Sequence, residues 1–148
     1  MKSKAATTKK TFSRSTIVSI DIKADAATIW ALLTNASDFP RWNSTVTSLD
    51  GKIALGEKLA LKVTLDEKRT FKLKVKEFKP DKHMRWGDAM GNREYTLTPF
   101  DGGVTFTRNE KIGGPFFPLF ATMTPPLDQE FDQYAADLKK EAESKVSA

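Results

Sequence analysis

In the segments "REYTLTP" and "VTFTRNEKI", charged and aromatic side chains share a face with apolar ones. Val104, Phe106 and Ile112 mark that face in the second segment, and Arg108 and Glu110 have the same parity. In the first, Tyr95 and Leu97 mark it and Arg93 joins them. A two-residue hairpin turn at Asp101-Gly102 sets Leu97 opposite Phe106, Tyr95 opposite Arg108 and Arg93 opposite Glu110. Two guanidinium groups, a phenol and a carboxylate then meet at one end of an apolar face. Such a group is either a self-satisfied rim or a polar site. The rim pairs Arg93 with Glu110 and stacks Arg108 on Tyr95. The site contacts a ligand or moves protons. Inward charges are costly unless paired, so both readings require partners.

Other chemistries lack their residues. The chain has no Cys, which excludes thiolate metal sites and disulfides, and its single His argues against a histidine-based metal centre. No metal and no cofactor is expected. G-x-S-x-G, phosphate-binding glycine loops and H-E-x-x-H are absent. His83 reads as a surface or rim residue. The net charge is +5, but Lys2, Lys4, Lys9, Lys10 and Arg14 supply it, within a stretch that has no acid. The body is near neutral, and its aromatics do not interleave with a basic patch, so no specific nucleic-acid partner is expected. Residues 1–12, rich in Ser, Thr and Lys, are expected to form a disordered, solubilising tail that can be removed without loss. No apolar run approaches the ~20 residues of a membrane span. A soluble cytoplasmic protein, monomer or homodimer, is the expected class.

The elements that would position the cluster follow from periodicity. "STIVSIDIKA" alternates and reads as a half-buried strand. "DAATIWALL" has Ile29, Leu32 and Leu33 at helical spacing behind a cap at Asp25. "NASDFPRW" is a short second helix or turn, ended by Pro40. "NSTVTSLDG", "KLALKVTLD", "TFKLKVKEF", "KHMRW", "REYTLTPF" and "VTFTRNEKI" read as strands, with turns at Asp50-Gly51 and Asp101-Gly102. Lys72, Lys74 and Lys76 alternate with Phe71, Leu73 and Val75, so one face of the sheet meets water and the other needs a cover. The cover is a helix capped by Thr124 and opened by Pro125-Pro126, with Leu127, Phe131, Tyr134 and Leu138 as its apolar stripe. The fold class is α+β, a single domain over 13–148.

The segments Ala24–Gly51, Gly56, His83–Asp88, Glu94–Thr107 and Glu110–Pro118 resemble the START-like (SRPBCC) superfamily, and within it the polyketide cyclase/dehydrase family. The likeness spans residues 14–145. The sequence departs from the family pattern at Asp25-Ala26, where a proline is usual, and at Pro125-Pro126, which interrupt the long helix. The resemblance implies the helix-grip fold: a curved antiparallel sheet of about 6–7 strands wrapped around a long C-terminal helix, with two short helices after the first strand. Trp30 would then pack from the first helix into the seam at one end of the sheet, and Trp42 would anchor the start of the second strand. It further implies an internal cavity for a hydrophobic small-molecule ligand, lipid or polyketide-like. The cavity candidates are Trp42, Leu61, Val63, Leu73, Val75, Trp86, Arg93, Tyr95, Leu97, Phe106, Arg108, Glu110, Phe131 and Tyr134. Phe117, Phe120 and Met123, from the run "FFPLFATM", join them as entrance or wall. Catalytic residues are not identified. A cyclase/dehydrase-type enzyme and a ligand-free protein-interaction module are the alternatives.

Overall fold

The structure is a computed structural model, and it describes residues 4–10, 13–113 and 127–147. The strands are β1 (Ala6–Lys9), β2 (Ser13–Ile22), β3 (Val46–Asp50), β4 (Lys58–Val63), β5 (Asp66–Lys79), β6 (His83–Gly87), β7 (Gly91–Phe100) and β8 (Gly103–Gly113). Helix α1 is Ala26–Thr34, α2 is Phe39–Trp42 behind a 3₁₀ turn at Ala36–Asp38, and α3 is Asp128–Ser147. One antiparallel sheet runs β1-β2-β8-β7-β6-β5-β4-β3. The strand count exceeds the expected 6–7 because the basic N-terminal stretch supplies β1.

That strand corrects the expectation of a disordered tail. Ala6–Lys9 pairs with Arg14–Ile17 at the sheet edge. Two acids of α3 hold the stretch from the other side: Asp132 Oδ1 accepts from the Ala5 amide at 2.6 Å, and Asp128 accepts from the Thr7 hydroxyl. Composition misses this because the strand contributes almost no apolar area; it is held by its ladder to β2 and by hydrogen bonds to two acids over a hundred positions away.

Alternation in the strands produces the concave core as expected. Val18, Ile20, Leu61, Leu73, Val75, Tyr95, Leu97 and Phe106 are all buried on one face. Helix α3 lies across it with Phe131, Tyr134, Ala135, Leu138 and Ala142 at i, i+3, i+4, i+7 and i+11, none more than 3% exposed. At the near end, Asp25 caps α1 by accepting from the Thr28 amide at 2.8 Å. Pro40 does not end α2; it sits in its first turn, where a missing N–H costs nothing. Asp50-Gly51 is not a tight turn, since β3 pairs Asp50 with Ala60 across a longer loop. Thr124, Pro125 and Pro126 lie outside the described residues.

The α2–α3 seam is fixed by polar bonds that the sequence pattern does not display. Buried Asn43 donates to the Tyr134 carbonyl at 3.4 Å and accepts from the Thr45 amide and hydroxyl at 3.1 and 2.7 Å. Asp137 accepts from the Ser44 amide and hydroxyl, and Arg41 bridges Asp38 and Glu141. Trp42 packs against Phe39 and Tyr134. Trp30 meets Phe78 on the sheet at 5.5 Å.

Candidate functional site

The turn at Asp101-Gly102 closes as expected. Gly102 takes a φ of 106°, in the left-handed region that favours glycine. With the turn fixed, the register of β7 on β8 follows: Leu97 faces Phe106, Tyr95 faces Arg108 and Arg93 faces Glu110. No bulge occurs at Asn109, which pairs with Glu94, so Glu110 keeps the inward parity of Phe106.

The four-residue cluster is buried and paired. Arg93 Nε lies 2.8 Å from Glu110 Oε2, with side chains 12% and 6% exposed. Arg108, at 3% exposure, lies 4.0 Å from the same oxygen. Its nearer carboxylate is one the sequence reading missed: Glu130 in the first turn of α3, at 3.3 Å. The charges alternate, Arg93–Glu110–Arg108–Glu130, and link β7, β8 and α3. Its spacing, three residues after Leu127 and one before Phe131, sets Glu130 beside the covering stripe, but no signal in the sequence joins it to Arg108.

Arg108 stacks mainly on the helix, not on Tyr95. Its guanidinium carbon is 4.0 Å from the Phe131 ring centre and 4.4 Å from that of Tyr134, against 6.0 Å for Tyr95. Burial pulls its pKa down, but the Glu130 carboxylate, Tyr95 and Glu110 outweigh this, so the guanidinium holds its proton more firmly than a free one. Burial raises the pKa of both phenols, against the opposing pull of Arg108 and Arg93; Tyr134 is raised the more. Tyr95 and Tyr134 are therefore neutral hydroxyls at any ordinary pH.

Beside the cluster the described residues enclose a hollow. A cavity of about 380 Å³ lies between the first turn of α3 and the β4, β5, β7 and β8 region of the sheet. Val63, Leu65, Phe71, Leu73, Ile112 and Leu127 give it apolar walls, and Arg93, Arg108, Glu110 and Glu130 a charged side. Arg69, Asp66, Asp88, Met90, Gly91 and Asn92 stand around the remainder. The volume is at the small end of ordinary ligand sites, about 300–1,000 Å³.

Of the expected cavity residues, Val63, Leu73, Arg93, Arg108 and Glu110 line this space. Trp42, Leu61, Val75, Trp86, Tyr95, Leu97, Phe106, Phe131 and Tyr134 are instead packed into the core. Tyr134 is the reason the middle of the grip is filled: its ring stacks on Phe106 at 6.1 Å and meets Tyr95, Trp42 and Phe39 within 6.4 Å. Phe117, Phe120 and Met123 lie outside the described residues. His83 is on the outer face, bonded to Thr96 at 3.0 Å and 3.9 Å from Glu77. Among the described residues no group of acids, His or Cys is placed to hold a metal ion, and no helix is long and apolar enough to cross a membrane. A second hollow, between the end of α1 and the β3–β4 loop, opens widely to solvent and holds no buried charge.

Residues 13–143 match the family model described as polyketide cyclase/dehydrase and lipid transport. No curated protein matches the chain in sequence. Solved structures share its fold. A protein from Nitrosomonas europaea superposes with a TM-score of 0.71 at 12% identity, over 95% of this chain and 100% of that one. A START superfamily protein from Mycobacterium smegmatis gives 0.65 at 13% identity, over 88% and 98%. The di-domain ARO/CYC of the steffimycin biosynthetic pathway gives 0.68 at 11% identity, over 93% of this chain and 53% of that one.

Proposed function

The chain belongs to the polyketide cyclase/dehydrase and lipid transport family, and from that membership we propose that it binds an apolar or aromatic small molecule in the cavity beside the first turn of α3. The cavity itself carries the reading: apolar walls with a few convergent polar groups are what a small-molecule site requires. A protein-interaction module without ligand has no use for such a space, and a filled core would be the more stable solution. Proton-transfer catalysis has less support. The buried charges are paired with one another as ions, and both phenols are held protonated.

Native mass spectrometry of freshly purified protein tests the proposal by its mass excess. Bound ligand is expected in the natural chain. It is expected to be lost in Ile112→Trp, which fills the wall with a larger ring. Absence of any bound species, together with no thermal stabilisation by long-chain or polycyclic compounds, would refute it.

A further inference from the structure

The charges around the cavity are not all used. Glu110 and Glu130 are held by the buried arginines. Asp88 is occupied by its own turn, accepting from the Met90 and Gly91 amides at 2.8 and 3.1 Å. Arg69 is different. Its side chain is exposed at the cavity wall, and among the described residues it has no carboxylate or hydrogen-bond partner; the centre of the Phe71 ring lies 5.0 Å from the guanidinium carbon. Arg93 is half-used. It reaches Glu110 through Nε, while its terminal amino groups bond to nothing among the described residues. Arg93 also lies on Phe71, at 5.5 Å. Two guanidinium groups with spare donors thus share one aromatic ring, beside the apolar wall of the cavity. Among the described residues Asp66 is the one opposing charge there without a role in the turn or the cluster.

From this arrangement we infer that the ligand is an amphipathic carboxylate, its head held by Arg69 and Arg93 across Phe71 and its apolar body against Val63, Leu65, Leu73 and Ile112. The inference rests on the proposed small-molecule site and names the class of molecule that fits it. A carboxylate is planar, accepts two parallel N–H bonds and matches the guanidinium fork, whereas a neutral hydroxyl uses one donor and leaves the rest unpaired. Stacking on Phe71 fixes the two forks, so less freedom is lost when the head arrives. Leu65 and Met90, both on the cavity wall and both exposed, form an apolar lip where the hydrocarbon enters.

Decanoate, decanol and decyltrimethylammonium share one chain and differ in the head, so calorimetric titration of the full chain with each separates head from body. Decanoate is expected to bind about tenfold or more tightly than decanol. That ratio is expected to collapse towards one in Arg69→Gln and to persist in Lys74→Gln, which removes the same charge from the outer face. Equal affinity for decanoate and decanol would overturn the carboxylate clamp and leave the cavity site standing. Preference for the ammonium head would overturn it too, in favour of Asp66. Failure of all three to bind would remove both the clamp and the site beneath it.

Discussion

Replacing Glu110 by Gln removes the charge at the centre of the buried cluster while keeping its shape. The natural cluster is balanced, two guanidinium groups against two carboxylates; the variant leaves Arg93 and Arg108 with Glu130 alone. At an effective dielectric of about 20, a charge at 2.8 Å contributes about 6 kcal/mol and one at 4.0 Å about 4 kcal/mol. Against this, burying the carboxylate costs several kcal/mol, which the amide avoids, and the amide still accepts one bond. The difference is a loss of about 3 kcal/mol, within the range for breaking a buried pair from one side. For a chain of 148 residues that lowers the melting temperature by about 10 °C. Urea and thermal unfolding followed by circular dichroism measure it. A double-mutant cycle with Arg93→Met is expected to recover a coupling of about 1 kcal/mol or more, since methionine no longer needs the counter-charge. A loss below about 0.5 kcal/mol in Glu110→Gln, or strict additivity with Arg93→Met, would refute the claim that these charges hold one another.

Three further outcomes are expected. Deleting residues 1–9 lowers the melting temperature by several degrees, because β1 and its bonds to Asp128 and Asp132 are lost; an unchanged melting curve would show that the edge strand adds nothing. The chain has only two tyrosines, both buried with pKa values above the ordinary 10.0. The native state therefore keeps protons that the unfolded state releases, so stability is full below about pH 10 and falls as pH rises through the folded values. Phenolate absorbance should then appear only together with unfolding, and titration of either tyrosine near pH 10 in folded protein would contradict their burial. Phe131→Ala, which empties a fully buried site beneath Arg108, is expected to cost about 3–5 kcal/mol in chemical unfolding, whereas a cost near 1 would mean that the helix is loosely seated.

Much was determined by the sequence alone. Alternation of Leu59, Leu61 and Val63, and of Leu73 and Val75, names the buried face, because a strand exchanges faces at every residue; Leu65, beyond the end of β4, is exposed. The turn at Asp101-Gly102 fixes Arg93 opposite Glu110 and Tyr95 opposite Arg108, because hairpin register follows from turn length. The stripe Phe131, Tyr134, Leu138 identifies the covering helix by its period. All three are local rules, readable within a dozen residues.

What only the tertiary structure decided lies between elements far apart in the chain. Glu130 becomes the partner of Arg108 because α3 crosses β8 at that level, and no spacing rule relates positions on a helix and a strand joined by an intervening segment. The same crossing sets where the grip is full and where it is hollow. Tyr134 fills the centre by stacking on Phe106, which displaces the open space towards Phe71, Ile112 and Leu127. Parity says that a side chain points inward; whether it meets a neighbour or a void depends on how volumes from three or four strands and a helix sum at one place. The N-terminal strand belongs to the same class. Its residues are polar and give no periodic signal, and its order comes from β2 on one side and the acids of α3 on the other.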